Sequence, residues 1–314
     1  MRKTYLLILI MVGALFIFGC EEEEATFEVG AFIGGTEGLR LAFTDGAPPN
    51  EVFDRDFPFN INVRLENVGE WSIVNAADTT ISIIGIDPVD FGKTLADLKQ
   101  SSTVPLLGRR LDQQGNVQSG TITNIDFPDF QYQGSVIGKV EFILRANACY
   151  EYGTKVNTKV CVLDDLLGVT RAADEPPICE PNEDKPFENS GAPVQIVSVK
   201  ETATGVDRVT VAFEISHVGS GVVFKRDTEC DPSIANKDKV YVKINTGLPG
   251  LSCAGIEGGG DEGYITLYGG TRQIICTQQL PTPRGNYEKP ITAELTYGYR
   301  QHIDKTLTVK QTGG

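Results

Sequence analysis

A chain of 314 residues has room for two domains of ordinary size, each with its own core. A hydrophobic share of 40% excludes a many-span membrane protein, and 34 Gly and 16 Pro beside 2 Met and 1 Trp favour turns over long helices. The formal charge of −14, from 42 acidic against 28 basic residues, repels polyanions and excludes nucleic acid as a partner.

Arg2 and Lys3 open the chain as a short positive segment, and Tyr5 to Phe18 follow as an apolar run closed by Gly19-Cys20. As a helix that run spans about 21 Å at ~1.5 Å per residue, short of a hydrocarbon core of about 30 Å. It reads as an export signal. Ile17-Phe18-Gly19-Cys20 resembles the lipobox of lipoprotein signal peptides, where a small residue precedes a Cys that is acylated. The resemblance implies lipidation at Cys20. The other reading of residues 1–20 is an uncleaved anchor helix, and both tether the chain to the outer face of the membrane. Glu21 to Glu24 repel one another and read as a solvated spacer, so residues 21–34 are expected to hold this spacer and a first strand.

From there the chain alternates apolar and polar residues with period two, the signature of half-buried strands. Phe59 to Glu66 puts Phe59, Ile61, Val63 and Leu65 on one face. Gly38–Phe43, Thr79–Ile86, Gly120–Ile125 and Val136–Leu144 are further strands, and Lys93 to Leu98 is the clearest helix-like stretch. These elements form a first β-sandwich over residues 35–165. Asp164 to Ser190 is rich in Asp, Glu and Pro, which supply little core, so residues 166–190 read as an acidic linker. A second β-sandwich is expected over residues 191–312. Its strands are Val194–Lys200, Val209–Ser216, Gly221–Lys225, Lys239–Ile244, Gly263–Tyr268, Gln273–Thr277, Ile291–Tyr299 and Lys305–Lys310. Aligning Gly69 with Gly219 places Leu65 on Ile215, Val63 on Phe213 and Ile61 on Val211, and Gly46-Ala47-Pro48 reappears as Gly191-Ala192-Pro193. This points to an internal repeat.

Beyond Cys20 the cysteines are Cys149, Cys161, Cys179, Cys230, Cys253 and Cys276. An even number in an exported chain is best spent on disulfides, and none has the short spacing of a zinc site. Cys149–Cys161 is the most local pairing, with Tyr150 to Lys155 as the turn of a stapled hairpin; Cys179–Cys230 and Cys253–Cys276 complete the set.

Gly35-Thr36-Glu37-Gly38-Leu39, Ala47-Pro48-Pro49-Asn50-Glu51-Val52, Asn67-Val68-Gly69, Ala148-Cys149-Tyr150, Val160-Cys161-Val162 and Gly191-Ala192-Pro193-Val194 carry a family likeness. At these residues the chain resembles archaeal surface lipoproteins of uncharacterised activity with CARDB-like immunoglobulin-like sandwich modules. The resemblance implies an all-β fold of two immunoglobulin-like β-sandwich modules in tandem after the signal or anchor segment. It assigns no activity. At the turn of the second half His217 stands where the first has Asn67.

Catalytic signatures are absent. His217 and His302 have no evident partners, no nucleophile elbow, zinc-protease or P-loop pattern occurs, and Asp126 with Asp129, or Asp164 with Asp165, are the carboxylate pairs open to hydrolase chemistry. Gly258 to Gly263 reads as a hairpin loop, and no metal or cofactor is expected. Phe127, Phe130, Tyr132, Tyr150, Tyr152, Tyr264, Tyr268, Tyr297 and Tyr299 serve a core or, less simply, a contact surface. The expectation is a non-enzymatic surface lipoprotein with an adhesion, binding or structural role. Its partners would be the membrane and a surface protein, a glycan or copies of itself. The alternative is an extracellular hydrolase or solute-binding lipoprotein.

Overall fold

Strands form wherever the alternation finds a partner, and the computed structural model describes residues 30–55, 57–170 and 176–312. Cys20, the leader and the Glu21–Glu24 run lie outside the described residues. Residues 30–35 carry no strand, and the first strand among the described residues begins at Leu39; the rest of the expected spacer and first strand lies outside the described residues. In the first half the strands are β1 Leu39–Phe43, β2 Glu51–Phe53, β3 Phe59–Asn67, β4 Thr79–Ile84, β5 Lys99–Ser101, β6 Arg110–Leu111, β7 Val117–Gln118, β8 Ile122–Phe130 and β9 Lys139–Val162. In the second half they are β10 Phe187–Asn189, β11 Val194–Gly205, β12 Arg208–His217, β13 Val222–Phe224, β14 Lys239–Asn245, β15 Leu251–Ala254, β16 Glu262–Thr266, β17 Thr271–Gln279 and β18 Tyr287–Lys310. Helix among the described residues is limited to short 3-10 turns, of which Ala96–Leu98 is all that the helix-like stretch forms.

The all-β expectation holds, with several sheets packed as a sandwich. β1-β3-β8 form one sheet and β11-β12-β17-β15 another, while β16-β14-β18-β9-β4-β5 run through a nine-stranded sheet that β2, β10 and β13 extend. The spine of that sheet is the antiparallel pair β9 and β18, each 24 residues long and in register from Lys139 opposite Lys310 to Val162 opposite Tyr287. Read from either edge, the sheet repeats: a short edge strand, an inner strand, then one long strand.

This pairing corrects the division into two separate modules joined by a linker. Strands of both halves share one sheet, and Leu39, Ile61 and Leu144 of the first half lie in the same buried cluster as Val194, Phe213 and Leu295 of the second. Ala31–Gly314 forms one compact unit. The Glu70 carboxylate accepts hydrogen bonds from Ile33 N at 3.0 Å, Gly34 N at 2.9 Å and Gly191 N at 2.6 Å, so one side chain fastens both halves. Part of the expected linker is also built in. Within residues 176–190, β10 pairs with β9, and Lys185 is buried against Glu201 at 3.1 Å.

The repeat is real in the core and runs deeper than the alternation. Ile61, Val63 and Leu65 are fully buried, as are Phe213 and Ile215, with Val211 nearly so. Tyr150 Oη accepts from Leu39 N at the start of β1, and Tyr297 Oη accepts from Val194 N at the start of β11. Tyr152 Oη donates to Asn67 Oδ1 at 2.9 Å, and Tyr299 Oη pairs with His217 Nε2 at 3.0 Å. His217 therefore takes the place of Asn67 in the contact with the tyrosine. Gly38 O accepts from Val68 N and Gly69 N as Pro193 O accepts from Val218 N and Gly219 N. By these contacts Pro193 corresponds to Gly38, so the two Gly-Ala-Pro stretches are not equivalent. One precedes β11 and the other follows β1.

Two expected disulfides are replaced. The bonds are Cys149–Cys230, Cys161–Cys179 and Cys253–Cys276, of which only the last matches. The Tyr150–Lys155 turn does not form, because Tyr150, Tyr152, Thr154 and Val156 continue the inward face of β9 against β18. Twelve residues along one strand separate Cys149 from Cys161 by about 40 Å at ~3.3 Å per residue, far beyond a disulfide's reach. Gly153 reads as a turn residue but lies under the Trp71 ring, where a Cβ would stand 2.7 Å from its atoms. Gly258 to Gly263 is no hairpin loop either, since β15 and β16 belong to different sheets.

Candidate functional site

Odd-numbered residues of β9 and even-numbered residues of β18 face away from the core. Asn147, Cys149 and Glu151 thus share an outer surface with Arg300, Thr80 and Ser82. The segment 225–231, between β13 and β14, crosses that surface as a strap. The Cys149–Cys230 disulfide pins it, Glu229 pairs with Lys99 at 3.0 Å, and Asp227 N donates to Glu151 Oε1 at 2.9 Å. Asp227, Glu229 and Cys230 hold left-handed backbone angles, with φ of 61°, 48° and 55°. Each costs about 1 kcal/mol for a residue with a Cβ, so the strap keeps its path only because these contacts hold it.

Between strap and sheet lies a cavity of about 660 Å³, within the size range of small-solute sites. Asp78, Glu151, Asp227 and Glu229 line it beside Lys99 and Arg300, and no histidine does. Burial pushes the Glu151 carboxyl up to about 7; the Asp227 N–H opposes this, and the Asp227 and Asp78 carboxylates add to it. Near neutrality Glu151 therefore exchanges a proton readily. Arg300 lies against the Phe224 ring, 4.8 Å from its centroid, which fixes the guanidinium at the cavity wall.

A second titratable group is fully buried elsewhere. Glu201 accepts from Cys161 N at 2.9 Å and faces Lys185, whose side chain is 2% exposed. Burial pushes Glu201 up to about 7 and outweighs both the Cys161 N–H and the Lys185 ammonium. It sits under the Cys161–Cys179 disulfide and fastens the segment before β10 onto β11.

The residues singled out in the sequence are scattered. Asp126 accepts from Asn62 Nδ2 and Asp129 N donates to Asn60 on the β3–β8 pair, while Asp165 accepts from Val169 N and Thr170 N in the turn after β9. None reaches the cavity. Burial holds His217 below its ordinary range and so favours the neutral ring beside Tyr299; His302 is exposed on β18. Phe127, Phe130, Tyr150, Tyr152, Tyr297 and Tyr299 are core residues, whereas Tyr268 is 67% exposed. No metal-ligand cluster occurs among the described residues. Sequence reasoning missed Glu151 and Arg300, because Tyr150 to Lys155 read as a turn; the signal that marks the outward face is the alternation of Asn147, Cys149 and Glu151 with buried Ala146, Ala148 and Tyr150. Among the described residues no helix is long and apolar enough to cross a membrane. No known protein family and no curated protein matches this chain, so the likeness to surface lipoproteins rests on the residues quoted for it.

Proposed function

We propose that this chain is an exported surface lipoprotein, anchored through Cys20 at the outer face of the membrane, with a non-enzymatic binding, adhesion or structural role. Its halves are two immunoglobulin-like modules that complete one another through a shared sheet. The observation that carries this reading is the set of three disulfides, which fit an oxidising extracellular compartment. The lipobox-like Ile17-Phe18-Gly19-Cys20 supports the anchor.

Intact-mass measurement of the membrane-extracted protein tests it. The expected mass is that of the chain from Cys20 plus lipid; an unmodified full-length mass, or free thiols at the six downstream cysteines on non-reducing peptide mapping, rejects it.

A solute-binding lipoprotein is the second reading, favoured by the cavity beneath the strap and its four carboxylates. The hydrolase alternative has the same footing in Glu151, which is a carboxyl of suitable affinity for protons but has no histidine beside it.

A further inference from the structure

Several charges on the outer face of the nine-stranded sheet are paired. Arg145 grips Asp304 through two hydrogen bonds of 2.7 and 2.8 Å, and Lys99 holds Glu229. The cavity floor breaks this pattern. Arg300 stacks on Phe224 and, among the described residues, forms no ion pair. Glu151 uses Oε1 to accept from Asp227 N and leaves Oε2 without a hydrogen-bond donor. Asn147 and Ser82 beside them likewise make no side-chain hydrogen bond among the described residues.

The ladder sets the spacing. Cys149 stands opposite Arg300 and Glu151 opposite Gly298, so Glu151 and Arg300 are diagonal neighbours on one face. Diagonal neighbours are about 7–8 Å apart at the backbone. The place across from Glu151 is filled by Lys225 O, Phe224 and the Glu151 carboxylate itself, which stand 3.3–3.6 Å from where a Gly298 Cβ would be. The floor therefore offers one fixed guanidinium and one carboxylate on neighbouring strands, with the unused amide of Asn147 and hydroxyl of Ser82 on the side of Cys149 away from Glu151.

We propose that this cavity receives a small zwitterionic solute of the dipeptide class, with its carboxylate on Arg300 and its ammonium on Glu151. The assignment rests on the solute-binding reading above. A guanidinium fork matches a carboxylate with two parallel hydrogen bonds, and Phe224 already holds the fork in place. An ammonium has three donors, and Glu151, Asp227 and Asp78 surround its place with acceptors. The diagonal spacing sets the two charged ends further apart than the single carbon that joins them in an amino acid, which selects a dipeptide. The unpaired Arg300 decides against a simple cation, which would meet its charge with nothing to offer.

The proton on Glu151 makes binding depend on pH. Asp78 of the 3-10 turn, Asp227, Glu229 and Arg226 of the strap, Lys99 of β5 and Arg300 of β18 are the charged groups around it. Since the carboxyl is held near 7, an arriving ammonium takes the place of a proton, and affinity rises as the pH passes upward through about 7.

The test is isothermal titration of the full chain in detergent, at about pH 7.5, above the Glu151 carboxyl and below the peptide's α-amino group, with L-alanyl-L-alanine, its N-acetyl derivative and its C-terminal amide. The free dipeptide binds, and blocking either end weakens it by about tenfold or more. Glu151→Gln abolishes the distinction between free and acetylated peptide while keeping that between acid and amide. Arg300→Gln does the reverse. Glu151→Asp and Arg300→Lys keep each distinction in weaker form, and a single cooperative thermal transition shows that all four variants fold. No binding of the free dipeptide, equal binding of the blocked forms, or variants that bind as the parent does overturns the proposal. The mass measurement on the anchor is untouched by any of these results, so the two readings fail separately.

Discussion

Asn67 spends all of its side chain inside the protein. Its amide donates to Trp71 O and Leu106 O at 2.8 Å each, and its carbonyl accepts from Tyr152 Oη and Gly69 N. Asn67→Ala strands several buried polar groups together and is expected to cost about 3 kcal/mol, read from urea unfolding. Alignment of the two turns showed His217 in the place of Asn67 but not why both are polar. Their tyrosine partners lie 85 and 82 residues away, beyond anything periodicity reports. The same distance hid Glu151, whose neighbours Asp227 and Asp78 come from other parts of the chain. Glu151 and Glu201 hold their protons more tightly in the fold, raised from 4.5 to about 7. The folded state therefore binds more protons across that window. The stability these groups contribute is complete below about pH 4.5 and lost as the pH rises through about 7. Asp54 and Asp304 act with the opposite sign, since hydrogen bonds from Thr312 and Arg145 hold them below 3.8, and their contribution is lost only as the pH falls through that region. Urea midpoints should accordingly decline from pH 5 to pH 8, and Glu151→Gln or Glu201→Gln should flatten the decline.

Most strands were legible because one face of each is buried and the other wet. β3 and β12 fall within a residue or two of the alternating runs. β9 and β18 were not, because Gly153 reads as a turn and Gln301 to Asp304 as a polar break. Both interruptions sit where another element supplies what the pattern lacks: Trp71 covers Gly153, and Asp304 is paired with Arg145 across the ladder. The segment 180–185 was read as linker because its charges looked solvated, yet Lys185 is a buried partner of Glu201. Lys185→Met leaves that carboxylate uncompensated and is expected to cost about 3–5 kcal/mol at pH 8. Adding Glu201→Gln, which keeps an acceptor for Cys161 N, should recover most of the loss. A double-mutant cycle by chemical denaturation checks both steps.

On the scale of the whole molecule, the disulfide-bonded, all-β character could be read from composition and cysteine count, whereas the sharing of one sheet could not. Pairing between distant strands leaves no mark in either strand alone. A chain nicked by protease between Asp164 and Ser190 should therefore run as a single particle in size-exclusion chromatography, even after reduction, because the β9–β18 ladder still joins its parts. Separation into two species would contradict the shared core. The ladder also governs how the protein comes into being. β9 waits for a partner that follows every other described strand, and long-range closure of this kind is slow. During that wait a 24-residue edge lies open to strand pairing with other chains. Maturation thus hinges on delivery of the final strand: a polypeptide released short of Tyr287 lacks the seam of both halves, and it is a substrate for aggregation or quality control rather than a half-working protein.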